Sequence, residues 1–285
     1  MTTRDAVTEL YVQESGTPGA PAIVFLHADG ASGGMWTQHV GRLAGAFHCL
    51  APDLPGHGRS NRVPWSSLQD TTQQVVGLIE GRIPARRAHV VGLSLGGVVA
   101  HTLLAQRPEL LDRVVIDGAG VLPARAAGLW RLAIALLSPF IHRKLVISVL
   151  YRALGGDPGD PAGRAGFAAD LRSVSPAAFR RAFANANDNH RFSKSQLGAS
   201  CPTLLVAGER EPGAVRASNA ALAALMPNAV ARFAPGGGHG WLAGAAELHV
   251  RMVEAWITGQ ELPTELAPET TPWPSSQVQR LLNGQ

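Results

Sequence analysis

A serine flanked by glycines, Gly92-Leu93-Ser94-Leu95-Gly96-Gly97, follows the apolar run His89–Gly92 and opens a segment of helical period. A hydroxyl carried on a sharp strand-to-helix turn is exposed to an incoming substrate. The helix start behind it aims backbone amides at the place where negative charge would develop. Such a turn forces neighbouring backbone together, so positions 92 and 96 must be small. A serine hydroxyl is a poor nucleophile at neutral pH, and it needs an imidazole to take its proton and return it to the leaving group. Of ten histidines, His239 is best placed for this. It sits in Gly236-Gly237-Gly238-His239-Gly240, a loop free to swing an imidazole over a sheet edge, whereas His89 and His101 lie within a strand and a helix.

These residues need elements to hold them. Short β-branched runs at Ile23–His27, His48–Pro52, His89–Gly92, Val114–Asp117 and Thr203–Gly208 end in turn signals and read as buried strands. Helical periods at Ser67–Gly81, Leu95–Arg107, Val215–Met226 and Ala243–Trp256 alternate with them. This alternation predicts an α/β fold with a mostly parallel central sheet and helices on both faces, its site at the strand C-termini. Leu10–Glu14 and Val230–Ala234 are candidates for a first, antiparallel strand and a last one. Residues 119–195 break the alternation with helical patterns only and read as a helical cap, leaving 1–118 and 196–260 as the core. The stretch 261–285 is a proline-rich tail with a short Val278–Leu282 run.

Taken together, the motifs resemble the α/β-hydrolase family over nearly all of residues 7 to 258, in its serine-nucleophile, esterase-like branch. Besides the Ser94 turn, His27-Ala28-Asp29-Gly30 resembles the loop that supplies an oxyanion donor, and Asp53-Leu54-Pro55-Gly56-His57-Gly58-Arg59-Ser60 is similar to the family's DxxGxGxS turn. The order Ser94, acid, His239 is the one expected of that fold. The resemblance places Glu211 in Gly208-Glu209-Arg210-Glu211 where an aspartate is usual, with Glu209 and Asp117 as competing acids. It implies an oxyanion hole from the backbone N–H groups of Leu95 and Asp29. A carboxylate at Asp29 would oppose the charge it should stabilise, so its side chain is predicted to turn away onto backbone amides of the Gly30–Gly34 turn. It also implies that His27 and His57 are structural. Trp241 is a candidate wall of the pocket, and Leu137 and Leu145 of the cap are candidate acyl-pocket residues.

The resulting expectation is hydrolysis of a carboxylic ester or lactone of a small to medium, partly apolar molecule through an acyl-enzyme. Acyl transfer, C–C bond hydrolysis, cofactor-free lyase or cyclase chemistry and a non-catalytic receptor are the alternatives. No cofactor and no metal are implied, because HExxH, paired CxxC, GxxxxGK[ST] and GxGxxG patterns are missing from the sequence. The net charge is +4, but the arginines are scattered without interleaved aromatics, which argues against nucleic acid as partner. Leu129–Tyr151 is broken by Arg131, Pro139, His142, Arg143 and Lys144, so it is not expected to span a membrane. No apolar leader opens the chain, and Cys49 and Cys201 lie in or beside apolar runs; both fit a cytoplasmic protein. The sequence leaves the oligomeric state open.

Overall fold

Where a run of valine, isoleucine and leucine is too short for a helix and too apolar for a loop, backbone pairing into a sheet satisfies its amides while both faces are covered. The computed structural model, which describes residues 9–122, 127–154, 159–189 and 194–271, contains eight strands, apolar and covered in the middle of the sheet and more exposed at its two edges. They are β1 (Val12–Ser15), β2 (Ala22–Leu26), β3 (His48–Pro52), β4 (Ala88–Leu93), β5 (Leu111–Asp117), β6 (Thr203–Gly208), β7 (Ala229–Ala234) and β8 (Ala267–Pro268). They form one sheet in the order β1-β3-β2-β4-β5-β6-β7-β8. Only the edge strands β1 and β8 run antiparallel to their neighbours. Val230–Ala234, the expected last strand, lies in β7; the short β8 beyond it comes from the proline-rich stretch. The Val278–Leu282 run lies outside the described residues.

The period of two in the strands sorts the core into two layers. Ile23, Phe25, Cys49, Ala51, Val91, Val115, Leu204 and Val206 face one side, where Trp36, Val40, Met252, Val253 and Trp256 pack on them. Val24, Leu26, Leu50, Val90, Val114, Ile116 and Leu205 face the other, against Val75, Ile79, Val99, Leu103 and Leu222. The first layer is covered by α1 (Thr37–Leu43) and the C-terminal helix, and the second by α2 (Leu68–Arg82) and α3 (Leu95–Gln106). Between β5 and β6 the chain leaves the sheet and forms α4 (Ala127–Leu137), α5 (Lys144–Ala153), α6 (Pro161–Ser173), α7 (Pro176–Asn189) and α8 (Lys194–Leu197). After β6 come α9 (Gly213–Leu225), α10 (Trp241–Gly244) and α11 (Ala246–Thr258).

The helical insertion sits on the loops that leave the C-terminal ends of β2 and β3. Ser32 Oγ donates to Asp170 Oδ1 on α6 at 2.8 Å, and Gly58 N–H donates to Ser173 Oγ at 3.1 Å. Leu171 and Phe179 pack directly on Gly30. Beyond α11, Leu266 is buried and Arg216 on α9 holds Glu269 at 2.9 Å, so residues 266–269 lie on the body.

Candidate active site

Parallel strands discharge their loops on one edge, and the singled-out residues all follow strand ends there. Ser94 follows β4, Asp117 ends β5, Glu211 lies three residues beyond β6, His239 five beyond β7, and Asp29 three beyond β2. Ser94 adopts φ 53° and ψ −112°, a left-handed conformation costly for a residue with a Cβ. Its N–H donates to Asp117 O at 2.8 Å, and Gly96 N–H donates to His27 O at 3.1 Å, which pins the turn to both neighbouring strands. The glycines are required by contact: a Cβ at Gly92 would stand 2.4 Å from Gly96 O, and one at Gly96 would stand 2.1 Å from Leu26 O.

The structure brings Ser94, His239 and Glu211 together. His239 Nδ1 lies 2.8 Å from Glu211 Oε1, and its Nε2 lies 3.0 Å from Ser94 Oγ. A carboxylate accepts, so Nδ1 carries the ring proton and Nε2 is left to accept from the serine. Burial disfavours the charged imidazole, but the charge and hydrogen bond of Glu211 outweigh it, and the His239 pKa is raised above its usual 6.5. The Glu211 side chain is buried, and the space for its extra methylene comes from the next strand. Gly118, at φ 61° after β5, has no side chain; a Cβ there would stand 2.9 Å from Glu211 Oε1 and 3.1 Å from His239 Nδ1.

The competing acids have other partners. Glu209 Oε2 accepts from Gly236 N–H at 2.7 Å, and the neighbouring Arg210 N–H donates to Gly237 O at 2.8 Å, so this segment braces the glycine loop that carries His239. Asp117 is fully buried, with Oδ2 3.3 Å from His249 Nε2. Its pKa is pushed well up by burial and by the nearby Glu211, which favours its protonated, uncharged form. His249 Nδ1 in turn meets His39 Nε2 at 2.7 Å, and burial holds these imidazoles neutral, with pKa values lowered to about 3 and about 2.

At the loop after β2 the prediction for Asp29 needs correcting in part. The main partner of its side chain is His57, whose Nε2 lies 2.9 Å from Oδ1, with the Gly30 amide as a lesser one, while amides further along the Gly30–Gly34 turn are engaged elsewhere. One of those amides, Gly33 N–H, is taken by Asp53 Oδ1 at 2.7 Å, and another, Gly34 N–H, by Ser32 Oγ. Asp53 Oδ2 also accepts from Arg59 N–H, so Asp53 organises both loops. His27 joins them as well: its Nδ1 faces Ala28 O at 2.8 Å and its Nε2 accepts from Leu54 N–H at 2.8 Å. That pattern fits the neutral ring, and burial and His57 lower its pKa to about 3. The backbone N–H of Leu95 opens α3, where no intrahelical acceptor exists.

The remaining expectations fare differently. Trp241 is buried, packed 5.0 Å from His249 in the core layer beneath the His239 loop, so here it supports that loop from below. Leu137 and Leu145 are not turned inward as an acyl pocket requires: Leu145 is 77% exposed and Leu137 38%. Leu145 also stands at the wrong end of α5. The contact with the His239 loop is made by Leu154, whose carbonyl accepts from Gly240 N–H at 2.6 Å, nine residues and roughly 13 Å further along the helix axis. Neither this contact nor the His57–Asp29 pair has a signature in the sequence, since both depend on how loops meet. Among the described residues no group of three metal-ligating side chains gathers, and no helix is long and apolar enough to cross a membrane.

Comparison with known proteins agrees with this architecture. A 3-oxoadipate enol-lactonase of Acinetobacter baylyi is 34% identical over 91 residues, 32% of this chain and 34% of that protein. A pimeloyl-[acyl-carrier protein] methyl ester esterase of Nitrosomonas europaea is 37% identical over 100 residues, 35% of this chain and 38% of that protein. The matched stretches thus span little more than a third of these relatives. Among solved structures, an esterase from Thermogutta terrifontis superposes with TM-score 0.74 at 19% identity, covering 88% of this chain and 93% of that one. The enol-lactonase from Burkholderia xenovorans superposes with TM-score 0.73 at 22% identity over 87% and 96%. At such identities the likeness is one of fold. The model of the Alpha/beta hydrolase family, however, matches residues 23–250, from the first core strand into the last helix, and by that match the chain belongs to this family.

Proposed function

We propose that this protein is a serine hydrolase that cleaves a carboxylic ester or lactone through an acyl-enzyme, with Ser94 as nucleophile, His239 as base and Glu211 as the orienting acid. The observation that carries the reading is the continuous relay from Ser94 Oγ through both nitrogens of His239 to Glu211, at 3.0 and 2.8 Å, built on a serine held at φ 53°. His239 Nε2 takes the hydroxyl proton as Oγ attacks the carbonyl carbon. The oxyanion of the tetrahedral intermediate meets the N–H groups of Leu95 and Asp29, and the imidazolium returns its proton to the departing alkoxide. Water then repeats the sequence on the acyl-enzyme. Glu211 holds the proton on Nδ1 and offsets the charge on the ring.

The relatives named as a lactonase and a methyl ester esterase support the same class of substrate, an acyl carbon with an oxygen leaving group. The helical insertion, seated on the Gly30 and Gly58 loops, serves in this reading as the cap through which a partly apolar substrate enters. The test is a fluorophosphonate probe followed by peptide mapping, run beside a p-nitrophenyl ester series of increasing acyl length. Labelling confined to Ser94 and turnover lost in Ser94→Ala are expected. An unlabelled serine, or a Ser94→Ala protein with unchanged turnover, would sink the proposal.

A further inference from the structure

Eight large apolar side chains stand exposed among the described residues, and seven belong to one stretch of the helical insertion: Leu129, Leu132, Leu136, Leu137, Phe140, Leu145 and Val149. Their spacing is regular. Leu129, Leu132 and Leu136 recur at three and four residues along α4, and Leu145 and Val149 at four along α5, so each helix carries its own outward stripe. These stripes do not hold the insertion together. Packing is done by the opposite faces, where Ile134, Ile141, Ile147 and Tyr151 are buried in the core. Scattered surface leucines are ordinary; a run of them on two consecutive helices is not.

The charges along the same stretch have one sign. Residues 118–156 contain no Asp or Glu, although the chain has 21. Arg131, Arg143, Lys144 and Arg152 are exposed there, and the Arg143 guanidinium lies 4.7 Å over the Phe140 ring. An apolar helix face bordered by cations, on a stretch of sequence without acidic residues, is the pattern of a segment that rests in the interface of an anionic bilayer, its leucines among the acyl chains and its basic side chains at the headgroups. A second copy of this chain fits less well. A two-fold interface sets a patch against itself and would bring the cations together with no carboxylate from the stretch to answer them.

We propose that the α4–α5 face docks this protein on anionic lipid surfaces as a peripheral, non-spanning membrane protein. Helix α5 of this face ends at Leu154, whose carbonyl accepts from Gly240 N–H in the His239 loop. The proposal does not depend on which reaction the candidate site performs, because its test reads binding alone.

The experiment is flotation of the full chain with large unilamellar vesicles of phosphatidylcholine, with and without phosphatidylglycerol. Wild type is expected to float with the phosphatidylglycerol vesicles, to bind pure phosphatidylcholine about tenfold or more weakly, and to lose binding as salt is raised. Leu132→Gln/Leu136→Gln/Leu145→Gln should lower partitioning by about tenfold or more with an unchanged melting temperature, since all three side chains are already exposed. Arg143→Gln/Lys144→Gln should abolish the preference for phosphatidylglycerol at unchanged secondary structure. Absence of vesicle binding by wild type would overturn the proposal, as would equal binding by the leucine variant. So would a wild-type dimer, split by the leucine substitutions and indifferent to vesicles, which would assign the face to a second copy.

Discussion

Two carboxylate–imidazole pairs face the same edge of this sheet at nearly the same distance, and they are chemically opposite. In one, Glu211 Oε1 holds His239 Nδ1 at 2.8 Å; in the other, Asp29 Oδ1 holds His57 Nε2 at 2.9 Å. The difference lies in what the second ring nitrogen meets. His239 Nε2 faces a serine hydroxyl, which can donate, so the ring can be neutral and ready to accept a proton. His57 Nδ1 lies 2.9 Å from the carbonyl of Pro55, which can only accept. With an acceptor on one side and a carboxyl on the other, the His57–Asp29 pair must hold one extra proton, either on the ring or on the acid. Burial raises the Asp29 pKa, which disfavours a bare carboxylate beside the oxyanion loop. The same two residue types thus make an available base in one place and a neutralised brace in the other.

The largest effect should come from breaking the first pair. Glu211→Gln can offer its amide N–H to His239 Nδ1, which moves the ring proton to Nε2 and leaves nothing to accept from Ser94. A loss of about 10³-fold or more in kcat, with a small change in melting temperature, is expected from steady-state kinetics. Asp117→Asn should retain most activity, because Glu211 already occupies Nδ1 and the buried Asp117 favours its uncharged form. Equal losses from the two would erase the distinction between them.

The next effect tests the room made for Glu211. Gly118→Ala puts a methyl at 2.9 Å from Oε1 and 3.1 Å from the imidazole, at a φ of 61° that alanine tolerates poorly. A shift of the ring by about 1 Å should lower kcat by about 10²-fold, with KM changed less. Retained activity would mean that the glutamate has another way to reach His239.

Sequence reasoning could reach Ser94, His239 and Glu211 because each is announced by local chemistry: a glycine-flanked serine after a strand, a histidine in a glycine run, an acid at a fixed offset from a strand end. The parallel strands were legible for the same reason, since β2 to β6 are short, apolar and bounded by turns. The Asp29–His57 contact was not, because it joins two loops 28 residues apart whose approach is set by Asp53 bridging them. Leu137 and Leu145 are expected at an acyl pocket and stand exposed instead, because apolar residues at helical spacing predict that a face will be covered, not by what. Trp241 follows His239 by two residues, and only the turn of the loop decides that it packs downward.

A smaller effect sharpens the comparison through pH. The proposed mechanism needs neutral His239, and Glu211 raises the pKa of that ring, so kcat/KM should fall on the acid side of a midpoint above 6.5. In Glu211→Gln the raising partner is gone while burial remains, so the acid limb of the residual activity should move down. A midpoint unmoved by this substitution would mean that Glu211 does not set the charge state of His239. Since His57 is no base in this arrangement, replacing Asp29 should not shift the limb.

The smallest effect, and the one that separates the pairs most cleanly, is on Asp29 itself. Asparagine can donate its amide N–H to His57 Nε2 while the ring keeps its Nδ1 proton on Pro55 O, so the contact survives without the extra proton. Asp29→Asn should therefore fold normally and keep most of its activity on simple esters. Alanine removes the partner and leaves Nε2 of a fully buried ring unsatisfied, at a cost of about 1–3 kcal/mol by thermal or denaturant unfolding. Because the Asp29 amide is also the proposed oxyanion donor, a loosened loop should lower kcat more than it raises KM. If asparagine proves as harmful as alanine in both readouts, the charge itself matters at position 29, and the pair is not the neutral brace that its geometry describes.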